Sequence, residues 1–226
     1  MVHSFLMIGQ SNMAGRGRID EVEPIISERL KVLRNGRWYP FYVPVNCDRP
    51  FSGISLAESF ADAYSKDLPD VEVGLIPCAD GGTSLDDWAV GGLLFDHAVY
   101  MSKLAQRTSV IKGVLWHQGE GDCSDDLYIL YASKFQTIMD AMRTELGLEQ
   151  TPFLLGGLGD FLASLPENKN YKHVNTALRK LSAENAYTAY VSAEGLTANP
   201  DNLHFNAKSC REFGLRYYEA FKEIMD

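Results

Sequence analysis

Short apolar runs alternate along the chain with stretches whose apolar residues recur at helical spacing. The runs are typical of buried strands and occupy residues 5–8, 71–76, 110–116, 152–158 and 188–191. The stretches between them predict amphipathic helices, marked by Leu56 to Tyr64, Phe95 to Leu104, Leu127 to Leu146, Val174 to Leu181 and Cys210 to Ile224. Strands that alternate with helices indicate a parallel sheet covered on both faces. The sequence therefore predicts one three-layer α/β/α domain over residues 1–226.

Residues 16–53 form the least regular segment. Two short apolar stretches, residues 30–33 and 38–39, flank an Asn-Gly pair that tolerates positive φ and predicts a β-hairpin. Pro40, Pro44 and Pro50 then punctuate a loop. We expect this segment to be an insertion that carries a hairpin over the functional site.

Composition narrows the classes of partner. The net charge is −9 and no basic run is long enough to follow a phosphate backbone, so nucleic acid is not expected as a partner. An acidic surface suits a neutral or cationic substrate. The four cysteines are widely spaced without a Cys-x-x-Cys pair, and the histidines and acids form no recognisable ligand set, so neither a metal nor a cofactor is expected.

The distribution of apolar residues also bears on the cellular location of the protein. No apolar run is long enough to span a bilayer, so no membrane association is expected. A basic segment followed by a long apolar region is also missing ahead of Ser11. We therefore expect a cytoplasmic protein, or a secreted one whose leader has been removed.

Ser11 lies just beyond the first predicted strand, on a turn flanked by glycines. Ligands of parallel α/β sheets bind at the carboxyl ends of the strands, which is where a nucleophile is expected. The alternative is that Ser11 and Asn12 only make hydrogen bonds within the turn. Three further polar segments, residues 80–84, 117–122 and 201–204, follow predicted strands or precede the last helix. All four segments are predicted to share one edge of the sheet.

These segments contain the groups that a serine hydrolase needs. Asp201 and His204 are three residues apart, so the carboxylate can accept from Nδ1 of the imidazole and leave Nε2 to take a proton from Ser11. In the alternative, His204 packs against the last helix and Asp201 only makes a turn. Glu120 and Asp122 could orient His204 instead, could act as a carboxylate pair, or could hold loops.

Oxyanion stabilisation has three candidate donors. The Gly81-Gly82 pair follows a predicted strand and lets the backbone approach a developing oxyanion closely. Gln118 ends another predicted strand and could add its side-chain amide, and the backbone N–H of Ser11 would be the third donor.

Four blocks of the sequence resemble those of the SGNH-hydrolase superfamily. They are Gly-Gln-Ser-Asn-Met-Ala-Gly at 9–15, Gly-Gly-Thr-Ser at 81–84 with Trp88, Trp-His-Gln-Gly-Glu at 116–120 with Asp122, and Asp-Asn-Leu-His-Phe at 201–205. More closely, they resemble the sialate O-acetylesterase and acetylxylan esterase branch, carbohydrate esterase family six. The resemblance implies a flavodoxin-like three-layer fold and metal-free hydrolysis of acetyl esters on sugars.

The resemblance also implies roles for the catalytic residues. Ser11 would be the nucleophile, His204 the general base and Asp201 its orienting acid. Glu120 belongs to the motif of this branch and stays open as an alternative acid.

The resemblance also implies which residues donate to the oxyanion. Gly82 matches the glycine of the second block, with Gly81 as the less favoured choice. Gln118 stands where the wider superfamily has an oxyanion-hole asparagine, a departure that this branch shares.

The predicted function is a serine esterase that removes O-acetyl groups from a carbohydrate, either an acetylated xylo-sugar or sialic acid, through an acyl-enzyme. A small acetylated sugar or oligosaccharide is the expected partner, because no carbohydrate-binding domain is found beside the esterase blocks. Trp38, Tyr42 and Trp88 are candidates for stacking on a sugar ring, although each could instead be ordinary core. The alternatives are a lipase or thioesterase of the same fold acting on a short acyl ester, and a sugar-binding protein without activity.

Overall fold

The structure is a computed structural model that describes residues 1–124 and 126–225. Its strands are β1 (Val2–Gly9), β2 (Leu30–Arg34), β3 (Arg37–Pro40), β4 (Glu72–Pro77), β5 (Ser109–His117), β6 (Phe153–Gly156) and β7 (Thr188–Val191). Its helices are α1 (Ser11–Ala14), α2 (Leu56–Asp67), α3 (Leu93–Ala105), α4 (Tyr131–Leu146), α5 (Tyr171–Glu184) and α6 (Ala207–Met225). Short 3-10 turns join several of these elements. None of the described helices is long and apolar enough to cross a membrane.

The strands form one sheet in the order β3-β2-β4-β1-β5-β6-β7. All pairs are parallel except the β2–β3 hairpin. Side chains of β1 alternate between the two faces, with Leu6 and Ile8 in one apolar layer and Phe5 and Met7 in the other. Helices α3, α4 and α5 cover the first face, while α2 and α6 cover the second. The predicted three-layer α/β fold is confirmed.

Helix ends follow the local sequence. Ser55 caps α2 in a reciprocal arrangement with Glu58, which accepts from the Ser55 backbone N–H. Gly147 ends α4 in the left-handed conformation, with φ of 65°. Asn206 accepts from the N–H of Ser209 in the first turn of α6. Serine and asparagine side chains that accept from backbone N–H groups favour helix starts, and glycine favours the left-handed end of a helix.

The hairpin of residues 30–40 is formed as predicted, but its position is not the predicted one. Strand β2 pairs in parallel with β4, so the hairpin extends the edge of the central sheet and does not cover the site. The apolar side chains of Leu30, Val32 and Leu33 cause this, because all three are buried in the core and need the sheet's neighbouring layers. The start of the segment, at Arg16, and the loop after the hairpin, through Asp48 and Arg49, reach the site.

Candidate active site

The loop that follows β1 brings Ser11 to the edge of the sheet. Gly9 has φ of 126°, and a Cβ atom built there would lie 2.1 Å from the carbonyl oxygen of His117, so only glycine fits. The neighbouring Gln10 donates its N–H to that same His117 oxygen at 2.9 Å. Ser11 then begins the single turn of α1, with only 5% of its surface exposed. The serine side chain is thus fixed at the carboxyl ends of β1 and β5.

Ser11, His204 and Asp201 form one hydrogen-bonded line. The Ser11 Oγ atom lies 3.0 Å from Nε2 of His204. On the other side of the ring, His204 Nδ1 lies 2.8 Å from Oδ2 of Asp201. This is the order of contacts expected of nucleophile, base and orienting acid. The structure therefore brings Ser11 together with two side chains that lie almost two hundred residues further along the sequence.

Asp201 holds the histidine through the backbone as well as through the ring. Its Oδ1 atom accepts from the N–H groups of Leu203 at 2.9 Å and His204 at 3.0 Å. Partial burial opposes ionisation of Asp201, but these hydrogen bonds and the contact with the His204 ring outweigh burial and lower the pKa of the carboxyl group. Asp201 is therefore a carboxylate at neutral pH and can stabilise an imidazolium.

Glu120 is buried beside the site but has a different partner. Its Oε1 atom accepts from Nδ2 of Asn12 at 2.5 Å and lies 3.8 Å from Nδ1 of His117. The imidazole of His117 is itself buried, and its Nε2 lies 3.2 Å from the carbonyl oxygen of Gly157. Burial lowers the pKa of His117. The acid that contacts His204 in this structure is Asp201.

The two glycines after β4 face different groups. The N–H of Gly81 donates to Oδ2 of Asp48 at 2.9 Å and is therefore engaged. Gly82 is exposed, has φ of 80°, and no acceptor for its N–H is found in residues 1–124 or 126–225. The N–H of Ser11 likewise has no acceptor within those described ranges. A Cβ built on Gly81 would lie 3.4 Å from the Cβ of Ser11, so this turn is directly beside the serine.

The amide of Gln118 is not free to bind an oxyanion in this structure. Its Nε2 atom donates to the carbonyl oxygen of Thr83 at 3.1 Å and to Oδ2 of Asp122 at 2.6 Å, which uses both of its N–H bonds. The prediction that Gln118 adds its side-chain amide to the oxyanion hole is corrected accordingly, because this buried side chain holds the turn that contains Thr83. Asp122 also accepts from the N–H of Leu85 at 3.0 Å, so it holds loops, as one of the alternatives supposed.

Sequence reasoning missed two charged residues next to Ser11. Arg16 donates from both terminal nitrogens to the carboxylate of Asp48, at 3.1 and 2.6 Å, and both side chains are almost fully buried. Burial would raise the pKa of Asp48, but hydrogen bonds from Arg16, Ser52 and Gly81 more than offset it and lower the pKa. The only signal in the sequence was an arginine close behind the serine, without any indication of its partner.

The class of protein follows from the similarity of this chain to known proteins. Residues 1–223 match the family described as "Carbohydrate esterase, sialic acid-specific acetylesterase". The chain belongs to this family. It is therefore a carbohydrate acetylesterase, a carboxylic ester hydrolase.

Among the relatives of this esterase is a probable carbohydrate esterase of Arabidopsis thaliana, 27% identical over 96% of this chain and 89% of the relative. An Arabidopsis thaliana crystal structure superposes with a TM-score of 0.88 at 26% identity, covering 98% of each chain. The structure of NanS gives a TM-score of 0.78 at 16% identity over 99% of this chain and 97% of NanS. A carbohydrate acetylesterase from Xanthomonas citri gives 0.77 at 19% identity, over 98% of this chain and 56% of that protein. The last two likenesses concern the fold alone.

Two of the three aromatic residues predicted to stack on a sugar, Trp38 and Trp88, pack elsewhere in the fold of this esterase. Trp88 is completely buried, packs edge-on against Trp116 and donates its indole N–H to Thr83 at 3.2 Å. Trp38 packs over Gly74 and donates to Thr108, just before β5 begins, at the end of the sheet opposite Ser11. These two predictions are corrected, because Trp88 is buried in the core and Trp38 is partly buried against the core at the far end of the sheet. Tyr42 is exposed but accepts a hydrogen bond from Arg34 at 2.8 Å.

Proposed function

We propose that the esterase works through an acyl-enzyme formed on Ser11. His204 removes the hydroxyl proton as Ser11 attacks the acetyl carbonyl, and Asp201 keeps the imidazole in the required tautomer. The observation that carries this proposal is the unbroken contact from Ser11 Oγ to His204 Nε2 at 3.0 Å and from Nδ1 to Asp201 at 2.8 Å. Glu120 is not assigned this role, because its Oε1 atom accepts from Asn12, whereas the carboxylate hydrogen-bonded to His204 is that of Asp201.

The tetrahedral oxyanion is bound by the N–H groups of Ser11 and Gly82. Both N–H groups lack an acceptor in the described structure and belong to adjacent turns. Losing one such donor costs about 10²–10³ in kcat in other serine hydrolases. His204 next returns its proton to the leaving sugar oxygen. Water then repeats the sequence at the acyl-enzyme, with His204 again as base, and frees acetate and Ser11.

For the substrate, we propose an O-acetyl group on a small neutral sugar, of the kind that members of carbohydrate esterase family six would take, in preference to sialic acid. The two arginines beside the serine support this choice. Arg16 is paired with Asp48 at 2.6 Å, and Arg49 with Asp80 at 2.9 Å, so each is already neutralised by a carboxylate. The net charge of −9 further opposes an anionic sugar.

Acetate release from p-nitrophenyl acetate tests the mechanism, with the wild type beside Ser11→Ala and a serine-directed phosphonate as a mass label. We expect a burst, loss of activity in Ser11→Ala and labelling on Ser11. Equal slow rates and no label would mean that Ser11 is a turn residue and that the acyl-enzyme proposal fails.

Two substrate series test the proposed acyl group and the proposed sugar. Rates should fall steeply from acetate to butyrate and octanoate esters, whereas a rise would indicate a lipase or thioesterase. Acetate release should also be faster from an acetylated xylo-oligosaccharide than from O-acetylated sialic acid. The reverse order would overturn the preference for a neutral sugar. Binding of either sugar without acetate release would point to a protein that has lost activity.

A further inference from the structure

We propose that Asp48 and Arg49 are positioning residues that orient the peptide whose N–H binds the oxyanion, an inference that rests on the proposed function. The two residues are adjacent in the loop after the hairpin, and they bind the two polar groups of Gly81. Asp48 accepts from the Gly81 N–H at 2.9 Å, while Arg49 Nη2 donates to the Gly81 carbonyl oxygen at 2.8 Å. The conformation of Gly81 is therefore fixed from both sides.

The carbonyl of Gly81 and the N–H of Gly82 belong to the same peptide unit. Because that unit is planar and trans, its N–H points opposite to its C=O. The arginine that binds the carbonyl thus determines the direction of the Gly82 N–H. Gly82 itself has φ of 80°, and no atom of the described residues lies within 4 Å of a Cβ built there, so side-chain packing at that position does not fix the peptide.

Asp48 also connects this turn to the segment that carries the serine. Its carboxylate binds Arg16 through both oxygens and accepts from Ser52 Oγ at 2.8 Å. Arg16 in turn donates to the carbonyl of Gly15 at 2.8 Å, at the end of the turn that begins with Ser11. The Ser11 N–H and the Gly82 N–H are therefore held relative to each other through one buried carboxylate.

Burying this ion pair costs desolvation energy, and such pairs often stabilise a fold less than apolar residues would. The ion pair packs directly against Gly81. A Cβ at that position would lie 2.4 Å from Nη2 of Arg16 and 2.9 Å from Oδ2 of Asp48, so only glycine fits beside the pair. Directed hydrogen bonds to a glycine backbone fit a role in orientation. Residues that orient an oxyanion donor should stabilise the transition state more than the bound substrate, so their loss should lower kcat and leave KM almost unchanged.

The test is steady-state kinetics on p-nitrophenyl acetate with Arg49→Ala, Arg49→Lys and Asp48→Asn. We expect kcat to fall by about 10-fold in Arg49→Ala and by up to about 10²-fold in Asp48→Asn, with KM within about twofold of wild type. Arg49→Lys should recover part of the loss, since an ammonium can still donate to the Gly81 carbonyl. The pH midpoint of kcat should not move, because His204 is untouched.

The inhibition constant of phenylboronic acid gives an independent readout, since its tetrahedral adduct on the serine needs the same donors. It should rise by about the same factor as kcat falls. Arg18→Ala is the matched control, because Arg18 is an exposed arginine paired with Asp20 on the same surface. Arg18→Ala should leave kcat and the inhibition constant of phenylboronic acid unchanged. Arg49→Ala is expected to fold normally, since its side chain is 40% exposed.

The outcomes separate this inference from the proposed function. An inactive wild type would overturn the proposed function itself. An active wild type that loses activity in Ser11→Ala, with unchanged kcat in both Arg49→Ala and Asp48→Asn, would overturn only the positioning role. A higher KM with unchanged kcat would also overturn it, by showing that Arg49 binds the substrate directly.

Discussion

Asn12 binds both of the peptide groups that flank His204. Its Oδ1 atom accepts from the N–H of Phe205 at 3.0 Å, and its Nδ2 atom donates to the carbonyl of Leu203 at 3.2 Å. Because Asn12 directly follows Ser11, the residue next to the nucleophile sets the position of the base. The contact of Ser11 with His204 thus depends on a side chain that takes no part in proton transfer.

Replacing this amide should separate the two catalytic residues. Asn12→Ala leaves the Phe205 N–H without its partner, which should lower the free energy of unfolding by about 1–3 kcal/mol. We expect kcat to fall by about 10-fold or more, because the Ser11–His204 contact loosens. Urea unfolding and acetate release measure the two effects. Asn185→Ala, which removes comparable amide hydrogen bonds to Gln136 and Leu181, should lower stability alone. Equal kcat in both variants would contradict a positioning role for Asn12.

The identity of the acid partner gives a second prediction. Asp201→Asn removes the charge from the group 2.8 Å from His204 Nδ1 and should lower kcat by about 10²–10⁴-fold. Glu120→Gln keeps an oxygen that can accept from Asn12, so its effect on kcat should stay under about tenfold. Parallel kcat measurements on the two variants give the ranking. If Glu120→Gln proved the more damaging change, the orienting role would pass from Asp201 to Glu120.

Features that depend on residues close together in the chain could be predicted from the sequence. The short apolar run at residues 5–8 placed Ser11 at a strand end, and the three-residue spacing of Asp201 and His204 predicted their contact. The sheet edge could not be predicted in this way, because the Asn-Gly turn indicates only that β2 pairs with β3. Nothing in the sequence of residues 30–33 points to the parallel pairing of β2 with β4. The contacts of Asp48 with Gly81 and of Gln118 with Thr83 join residues more than thirty positions apart, and no periodicity of the sequence points to them.

The role of Trp88 could not be decided from the sequence either, and it gives a third prediction. A tryptophan beside a polar motif is compatible with sugar stacking or with core, and burial decides for core. Trp88→Ala should lower the free energy of unfolding by about 3–5 kcal/mol. Trp88→Phe should be milder and should leave KM for an acetylated sugar unchanged. A rise in KM for Trp88→Phe at full stability would restore the stacking interpretation.

The buried Glu58 provides a prediction about pH. Burial raises the pKa of Glu58 to about 7 from 4.5, although Arg211 at 2.6 Å and the Ser55 N–H act in the opposite direction. Between these values the folded protein retains a proton that the unfolded chain has released. The contribution of Glu58 to the free energy of unfolding must therefore decrease as pH rises from about 4.5 to about 7, by about 3 kcal/mol in total.

Glu58→Gln isolates this contribution, because glutamine has no titrating proton and can still accept from Ser55. The difference in unfolding free energy between wild type and Glu58→Gln should shift against the wild type as pH rises from about 5 to about 8 in urea titrations. Glu212→Gln, which changes an exposed carboxylate paired with Arg216, is the matched control and should show no such trend. A constant difference across the range would mean that Arg211 keeps Glu58 ionised throughout, and that burial does not govern this carboxyl group.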